Sequence, residues 1–260
     1  MGVNYNPRTI TDDCVFHIDM ANPKCYSGNG LGIKTKFVEL TPNPVGTGND
    51  LFFFTGSGDG PDFVNEGERS HFHFTRSESN RIVFENDHGG SHNILTKMGH
   101  SGSGTEALPF TIEFVIRIET APSGVGNNGY AVIRHNAFAG IGCHIRNNTS
   151  TAGTGGVNIG YVGQGNLTNN DSPVVPGEWY YGAVTRNSAT SGTIKWYDKN
   201  GLSKTTYSAN IKTTASTANT LIGGPYYMDG DIALVRVYKR DLTESEVRSN
   251  FEALRGRFGL

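Results

Sequence analysis

The sequence predicts an all-β fold: two stacked antiparallel sheets with one short C-terminal helix. Three observations predict it. Short stretches in which apolar and polar residues alternate recur along the whole chain, the period of strands half buried in a sheet. Glycine, at 35 of 260 residues, is far above its usual share of about 7%, and it gathers with Asn, Ser and Thr between those stretches. Only the last stretch carries the start signals of a helix.

Thirteen segments read as strands: Val15–Ile18, Leu51–Phe54, Ser70–Thr75, Arg81–Phe84, Phe110–Ile118, Ala131–Arg134, Ile141–Arg146, Val157–Val162, Trp179–Thr185, Thr193–Tyr197, Lys204–Tyr207, Thr220–Ile222 and Asp231–Tyr238. In Ser70–Thr75, Phe72 and Phe74 point inward and His71 and His73 outward. In Thr111–Ile118, Ile112, Phe114, Ile116 and Ile118 share one face, and Thr111, Glu113, Val115 and Arg117 the other. In Asp231–Tyr238, strict alternation groups Ile232, Leu234, Arg236 and Tyr238 against Ala233, Val235 and Val237. Both of these faces are largely apolar, which predicts a central strand. Asp198-Lys199-Asn200-Gly201 separates two strands, and Asn-Gly tolerates the positive φ of a tight hairpin. Asp87–Gly104 and Asn147–Gly156 are glycine-rich and read as exposed loops.

At the end of the chain, Thr243-Glu244-Ser245-Glu246 is a capping box, and Leu242 with Val247 is its hydrophobic staple. Val247, Phe251 and Leu254 form one helical stripe, and Gly256 is positioned to end the helix. A helix of this kind packs as a flap on a sandwich.

Composition excludes several classes. The formal net charge is −2 and charged residues are 18%, so nothing marks a nucleic-acid or membrane-surface binder. No apolar run is long enough to span a membrane. Met1–Asp13 is polar, lacks the apolar stretch of a signal peptide, and reads as an N-terminal arm ahead of a single domain, 14–260. Cys14, Cys25 and Cys143 are odd in number and form no C-x-x-C pair, so they read as free thiols made in a reducing cytoplasm.

Two sets of residues carry a family resemblance. One is Glu178-Trp179-Tyr180-Tyr181-Gly182, Ile194-Lys195-Trp196-Tyr197, Leu221-Ile222-Gly223-Gly224 and the run from Met228 to Val247; the other is the opening Phe16-His17-Ile18-Asp19-Met20-Ala21-Asn22-Pro23. The first resembles the concanavalin A-like jelly roll of laminin-G-type domains. The opening, with the ending Asn250-Phe251 to Gly259-Leu260, resembles the version found in structural proteins of tailed bacteriophages, marine and cyanobacterial ones in particular. The resemblance implies a two-sheet jelly roll and a non-enzymatic virion protein: a capsid decoration, a neck or tail appendage, or a fibre. It also implies virion localisation after synthesis in the host cytoplasm, homo-oligomers, and contacts with other virion proteins through residues 1–13. Adhesion to host-surface glycans is the accompanying expectation, with a dedicated lectin-like receptor-binding module as the alternative. Leu31-Gly32-Ile33-Lys34 stands where the phage group carries a Trp segment with Asp-Leu-Ser-Gly. Calcium occurs in parts of the superfamily, but Ala233 stands where many relatives carry Asp, so no cofactor is expected.

Candidate chemistry follows from the residue types. Glycan binding uses aromatic faces with nearby amides, which selects Tyr226, Tyr227, Trp196 and Tyr161 as ligand contacts; Trp179 and Trp196 also suit a core. A glycoside hydrolase of this fold needs two carboxylates across the scissile bond. The Glu-x-Asp-x-x-Glu motif of the related glucanases is absent. Glu113 and Glu119 share parity but stand roughly 20 Å apart, and Glu66 and Glu68, about 7 Å apart, fall in a solvated turn. No catalytic residue is expected. For a metal, His71 with His73 and His88 with His92 are too few ligands by themselves. Asp229 with Asp231, and Asp59 with Asp62, are ordinary turn chemistry. Arg236, Lys239, Arg240, Arg248, Arg255 and Arg257 make a basic end that suits a solvated helix face or an acidic partner.

Overall fold

The structure, a computed structural model, describes residues 9–26, 36–38, 40, 50–54, 60–85, 94–99, 105–106, 108–120, 130–135, 142–147, 157–162, 166–168, 175–187, 191–198, 201–208, 213–214, 220–224 and 227–260. In chain order the strands are β1 (Cys14–Asp19), β2 (Lys36–Val38), β3 (Asp50–Phe54), β4 (Asp62–Val64), β5 (His71–Phe74), β6 (Ile82–Glu85), β7 (Thr105–Glu106), β8 (Phe110–Ile118) and β9 (Tyr130–His135). They continue with β10 (Gly142–Asn147), β11 (Val157–Val162), β12 (Asn166–Thr168), β13 (Trp179–Arg186), β14 (Ser191–Asp198), β15 (Gly201–Ser208), β16 (Thr213–Thr214), β17 (Thr220–Ile222) and β18 (Gly230–Tyr238). The helices are α1 (Ile94–Lys97), inside the stretch expected to be loop, and α2 (Glu244–Phe258). Each expected strand is present. The additional ones, β2, β4, β7, β12 and β16, have two or three residues, too few to show a period.

Two sheets form the sandwich. The first runs β15-β14-β13-β8-β18-β5-β4, with β1 also paired to β18. The second runs β12-β11-β10-β9-β17-β6-β3-β2. Neighbouring strands pair antiparallel, for example Val184 with Ile112 and Ile145 with Ile159. The central core lies between the sheets: Phe16, Phe72, Phe114 and Val235 from the first meet Phe84, Val132 and Ile222 from the second. The predicted hairpin joins β14 to β15, with Tyr197 opposite Leu202 and Asp198 opposite Gly201.

A second apolar layer covers the outer face of the first sheet. Val247, Phe251, Leu254 and Phe258 of α2 pack on Val115, Tyr181, Leu234 and Tyr238. Phe251 stacks on Tyr197 with ring centroids 4.3 Å apart. The capping box forms as expected: Glu246 N–H donates to Thr243 Oγ1 at 3.3 Å, and Thr243 N–H to Glu246 Oε2 at 2.8 Å. Two bonds from Arg240 help hold the Glu246 carboxyl down at about 2. The helix does not end at Gly256. It continues to Gly259, whose φ of 72° provides the left-handed turn that closes a helix.

One expectation about β18 is corrected. Against β8 its register shifts between Ile232 and Leu234: Ile116 faces Ile232, Val115 faces Leu234, and Ala233 is the extra residue. The bulge breaks strict alternation. Ile232 therefore joins Val235 and Val237 between the sheets, and Ala233 joins Leu234 and Tyr238 under the helix.

Cys14, Cys25 and Cys143 are buried and form no disulfide with one another, and burial pushes the Cys143 thiol up. Residues 9–13 run onto the domain: Ile10 N–H donates to Asn250 Oδ1 at 2.7 Å. Among the described residues no helix is long and apolar enough to cross a membrane.

Candidate functional site

Strand register places one row of polar side chains on the outer face of the first sheet. Trp179 of β13 pairs with Arg117 of β8, Arg117 with Asp231 of β18, Asp231 with His73 of β5, and His73 with Asp62 of β4. The last helical residue of α2, Phe258, abuts Trp179 with centroids 5.1 Å apart. Beyond it Arg117 and His73 keep about a quarter of their side chains exposed.

Asp231 is the hub of the row and is fully buried. Arg117 Nε donates to its Oδ2 at 2.5 Å. His73 Nδ1 lies 3.0 Å from Oδ1, and His71 Nε2 lies 3.3 Å from the same oxygen. Glu119 Oε1 stands 4.0 Å from His73 Nδ1. The Arg117 guanidinium sits over the Trp179 indole at 5.1 Å, and the His71 ring meets that indole at 5.3 Å, edge on. Trp179 is only partly buried. Beside it opens a recess of ≈ 180 Å³ lined by Glu178, Phe258, Gly259 and Leu260. The same end of α2 borders a wider cleft of ≈ 580 Å³. Asp19, Asn22, Glu68, Glu252 and Arg257 line it, and Arg257 grips Asp19 with bonds of 2.7 and 2.6 Å.

A second polar cluster lies sealed beneath the middle of α2. Glu113 is fully buried and accepts from Tyr181 Oη at 2.5 Å, Tyr238 Oη at 3.2 Å and Asn250 Nδ2 at 2.9 and 3.0 Å. Arg236 Nη1 stands 3.7 Å from it. Burial pushes the Glu113 carboxyl above its usual range, opposed by Arg236 and the three hydrogen-bonding side chains. Next to it Arg236 Nε donates to His17 Nε2 at 3.1 Å. Desolvation, with the fields of Arg236 and Arg257, holds His17 well below its usual 6.5.

Of the four aromatic residues selected from sequence, two lie in strands of different sheets. Trp196 lies in β14 opposite Gly182 and Ser203, whereas Tyr161 lies in β11 of the other sheet, opposite Cys143 and Leu167. The side chains of both, and all of Tyr226, fall outside the described residues. Tyr227 is half-buried in the turn before Gly230. His88, His92 and Asp59 also fall outside the described residues. Glu66 and Glu68 are exposed on and beside the 3₁₀ turn Gly67–Arg69.

Three expectations change. His71 does face outward, but Trp179 covers it and it is buried. Trp179 is a partly exposed member of the row and lies outside the central core. The basic end is mostly paired within the chain: Arg257 to Asp19, Arg240 to Glu246, Lys239 to Asp13 and Arg255 to Glu252, with Arg236 buried beside Glu113. The row was missed because its members come from five strands whose register no local pattern encodes. Its one local signal is Asp231, a carboxylate near the start of a mostly apolar strand.

Comparison with known proteins agrees with this architecture. The family model described as the concanavalin A-like lectin/glucanases superfamily, of laminin-G type, matches residues 98–248. Sequence comparison with curated proteins returns no match. The binding domain of botulinum neurotoxin DC, solved in complex with SialylT, superposes with a TM-score of 0.56 at 12% identity, over 95% of this chain and 52% of that one. The binding domain of Paraclostridial Mosquitocidal Protein 1 gives 0.55 at 15% identity, over 93% and 52%. Trypanosoma rangeli sialidase gives 0.54 at 9% identity, over 95% and 34%. The chain thus spans about half the length of the two toxin domains and about a third of the sialidase, and these likenesses establish fold alone. With a family match over residues 98–248 and the two-sheet sandwich around it, the chain belongs to the concanavalin A-like lectin/glucanases superfamily.

Proposed function

We propose that the chain is a non-catalytic glycan-binding module that holds its ligand at the Trp179 row. The observation that carries this reading is a partly exposed indole set among groups that bond hydroxyls. Arg117 donates, Glu119 accepts, and His73 does either according to its tautomer. An indole offers apolar surface to the C–H side of a sugar ring, and the flanking charges select the pattern of hydroxyls. The superfamily and the SialylT complex of the neurotoxin domain support a sugar ligand by analogy. Tyr226, Tyr227, Trp196 and Tyr161 are proposed as glycan contacts apart from this row, since Trp196 and Tyr161 belong to different sheets.

The test is a glycan array that includes SialylT, followed by titration of the best binder. Trp179→Ala is expected to weaken binding by about 30-fold, the ordinary loss for truncating an aromatic anchor. Trp179→Phe should retain part of it. An array without signal for the unmodified chain, or unchanged affinity in Trp179→Ala, sinks the proposal. Sugar release from the array would instead support a glycoside hydrolase.

The setting we propose is display on a tailed-phage virion as a decoration, appendage or fibre, made in the host cytoplasm, with residues 1–13 contacting neighbouring virion proteins. It rests on the resemblance carried by the opening and closing segments. Mass spectrometry of purified particles is expected to detect the protein, and its absence from them overturns this part.

A further inference from the structure

We infer that the recess beside Trp179 is a subsite for an acetamido group, so that the sugar held at the row is an N-acetylated hexosamine. The inference rests on the reading of the row as a glycan site and adds which substituent that site selects. The recess, of ≈ 180 Å³, lies between Trp179 at the start of β13 and the last residues of the chain after α2. Sites that enclose a whole ligand run to about 300–1,000 Å³, so this one takes a substituent only.

Its chemistry follows from what its walls have left to offer. Two aromatic rings stand at its sides, Trp179 and Phe258, with centroids 5.1 Å apart and planes at 51°. Leu260 adds a third apolar side chain. The backbone donors at this end are already engaged: Gly259 N–H and Leu260 N–H both donate to the Arg255 carbonyl oxygen, the second at 2.9 Å. Arg255 Nε donates in turn to the Leu260 carbonyl oxygen at 3.2 Å. A hydroxyl seated against these walls would give up water without gaining a donor in exchange. A methyl group loses nothing there and covers apolar surface. One acidic side chain lines the recess, the half-buried Glu178. A carboxylate accepts and does not donate, so the substituent that suits it carries a donor next to its methyl group. An acetamido group has both: its N–H meets Glu178 and its methyl meets the rings. A deoxy-sugar methyl has no donor, and an ammonium has no apolar surface.

The walls are set in place by their own neighbours. Arg117 lies over the Trp179 indole at 5.1 Å, and Arg257 over the Phe258 ring at 4.8 Å. Each guanidinium is anchored by a carboxylate, Asp231 for the first and Asp19 for the second. His71 meets the indole edge on. Little order is therefore left to impose when a ligand arrives. The recess and the row share Trp179, so one sugar reaches both.

The test uses the full chain and matched oligosaccharides, of gluco and of galacto configuration, that carry acetamido, free amine or hydroxyl at the same carbon. In calorimetric titrations the acetamido member is expected to bind at least about tenfold more tightly than the hydroxyl member, the discrimination an apolar pocket gives for a methyl-sized group. Glu178→Ala should shrink that ratio at least about threefold, with the fold checked by thermal unfolding. Equal affinity of the acetamido and hydroxyl members, tightest binding of the amine, or a ratio untouched by Glu178→Ala overturns the subsite and leaves the row standing as a glycan site. So does silence of the whole series where the glycan array gives a signal. Silence of the series and the array together overturns both.

Discussion

Replacing Glu113 with Ala is expected to lower the unfolding free energy by about 3–5 kcal/mol, the cost of leaving buried partners without their charge. The hydroxyls of Tyr181 and Tyr238, the Asn250 amide and the Arg236 guanidinium all converge on this carboxylate beneath α2. Truncation strands them in a dry interior that water reaches only if the helix lifts. A domain of this size loses roughly 2–4 °C of Tm per kcal/mol, so thermal unfolding should fall by about 6 °C or more. Asn250→Ala removes a partner of the same group, so the double variant should be less destabilised than the sum of the two singles, by about 1 kcal/mol or more. Additive effects, or a loss below about 1 kcal/mol for Glu113→Ala, would show that the cluster is not a unit.

Glu113→Gln separates charge from shape. The folded carboxyl titrates above its usual value of 4.5. As pH rises from that value to the raised one, the unfolded chain releases a proton that the folded chain keeps. The Glu113 contribution therefore falls with rising pH through that window, by up to about 1.4 kcal/mol per unit, and is flat above it. The Gln variant should lack this slope. His17 acts with the opposite sign: below 6.5 the unfolded chain takes up a proton that the folded ring refuses, so acid destabilises. Its slope should persist in the Gln variant.

The layers of this fold were legible because burial repeats locally. Phe110–Ile118 alternates with Val115 as its one exception, and its Phe and Ile positions face the second sheet as expected. The Thr243–Glu246 capping box is a contiguous signal and formed as such. What was not legible depends on two segments meeting. The bulge at Ala233 arises because β18 must match β8 on one edge and β5 and then β1 on the other. Alternation within Asp231–Tyr238 carries no trace of it. His71 looked solvent-facing because nothing near it in sequence reveals that Trp179 covers it. Arg236, Arg240 and Arg257 looked like a free basic surface for the same reason: their acidic partners include Glu113 and Asp19, far away in the chain. The candidate site is legible in composition, as a Trp, an Arg, two His and carboxylates, and becomes a site only through register.

Gly230→Ala is the second large effect, expected to cost about 3 kcal/mol or more from crowding and an unfavourable φ together. Gly230 opens β18 at φ 144°, a conformation that side-chain-bearing residues rarely adopt. A Cβ there would overlap the Arg117 carbonyl oxygen and stand 2.7 Å from Ile118 Cα and 3.1 Å from Glu119 N. All three are β8 and post-β8 backbone, which cannot swing away as a side chain can. The strand must retreat, and the residue it carries with it is Asp231. Loss of stability should therefore come with weakened glycan binding, because Arg117 and Asp231 define the row. Gly201→Ala is the matched control: φ is also positive, at 123°, but the space around it is open. It should cost only about 1–2 kcal/mol of backbone strain and leave glycan binding unchanged. Equal losses in urea titrations of the two variants would show that close strand approach at Gly230 is not what holds the row in register.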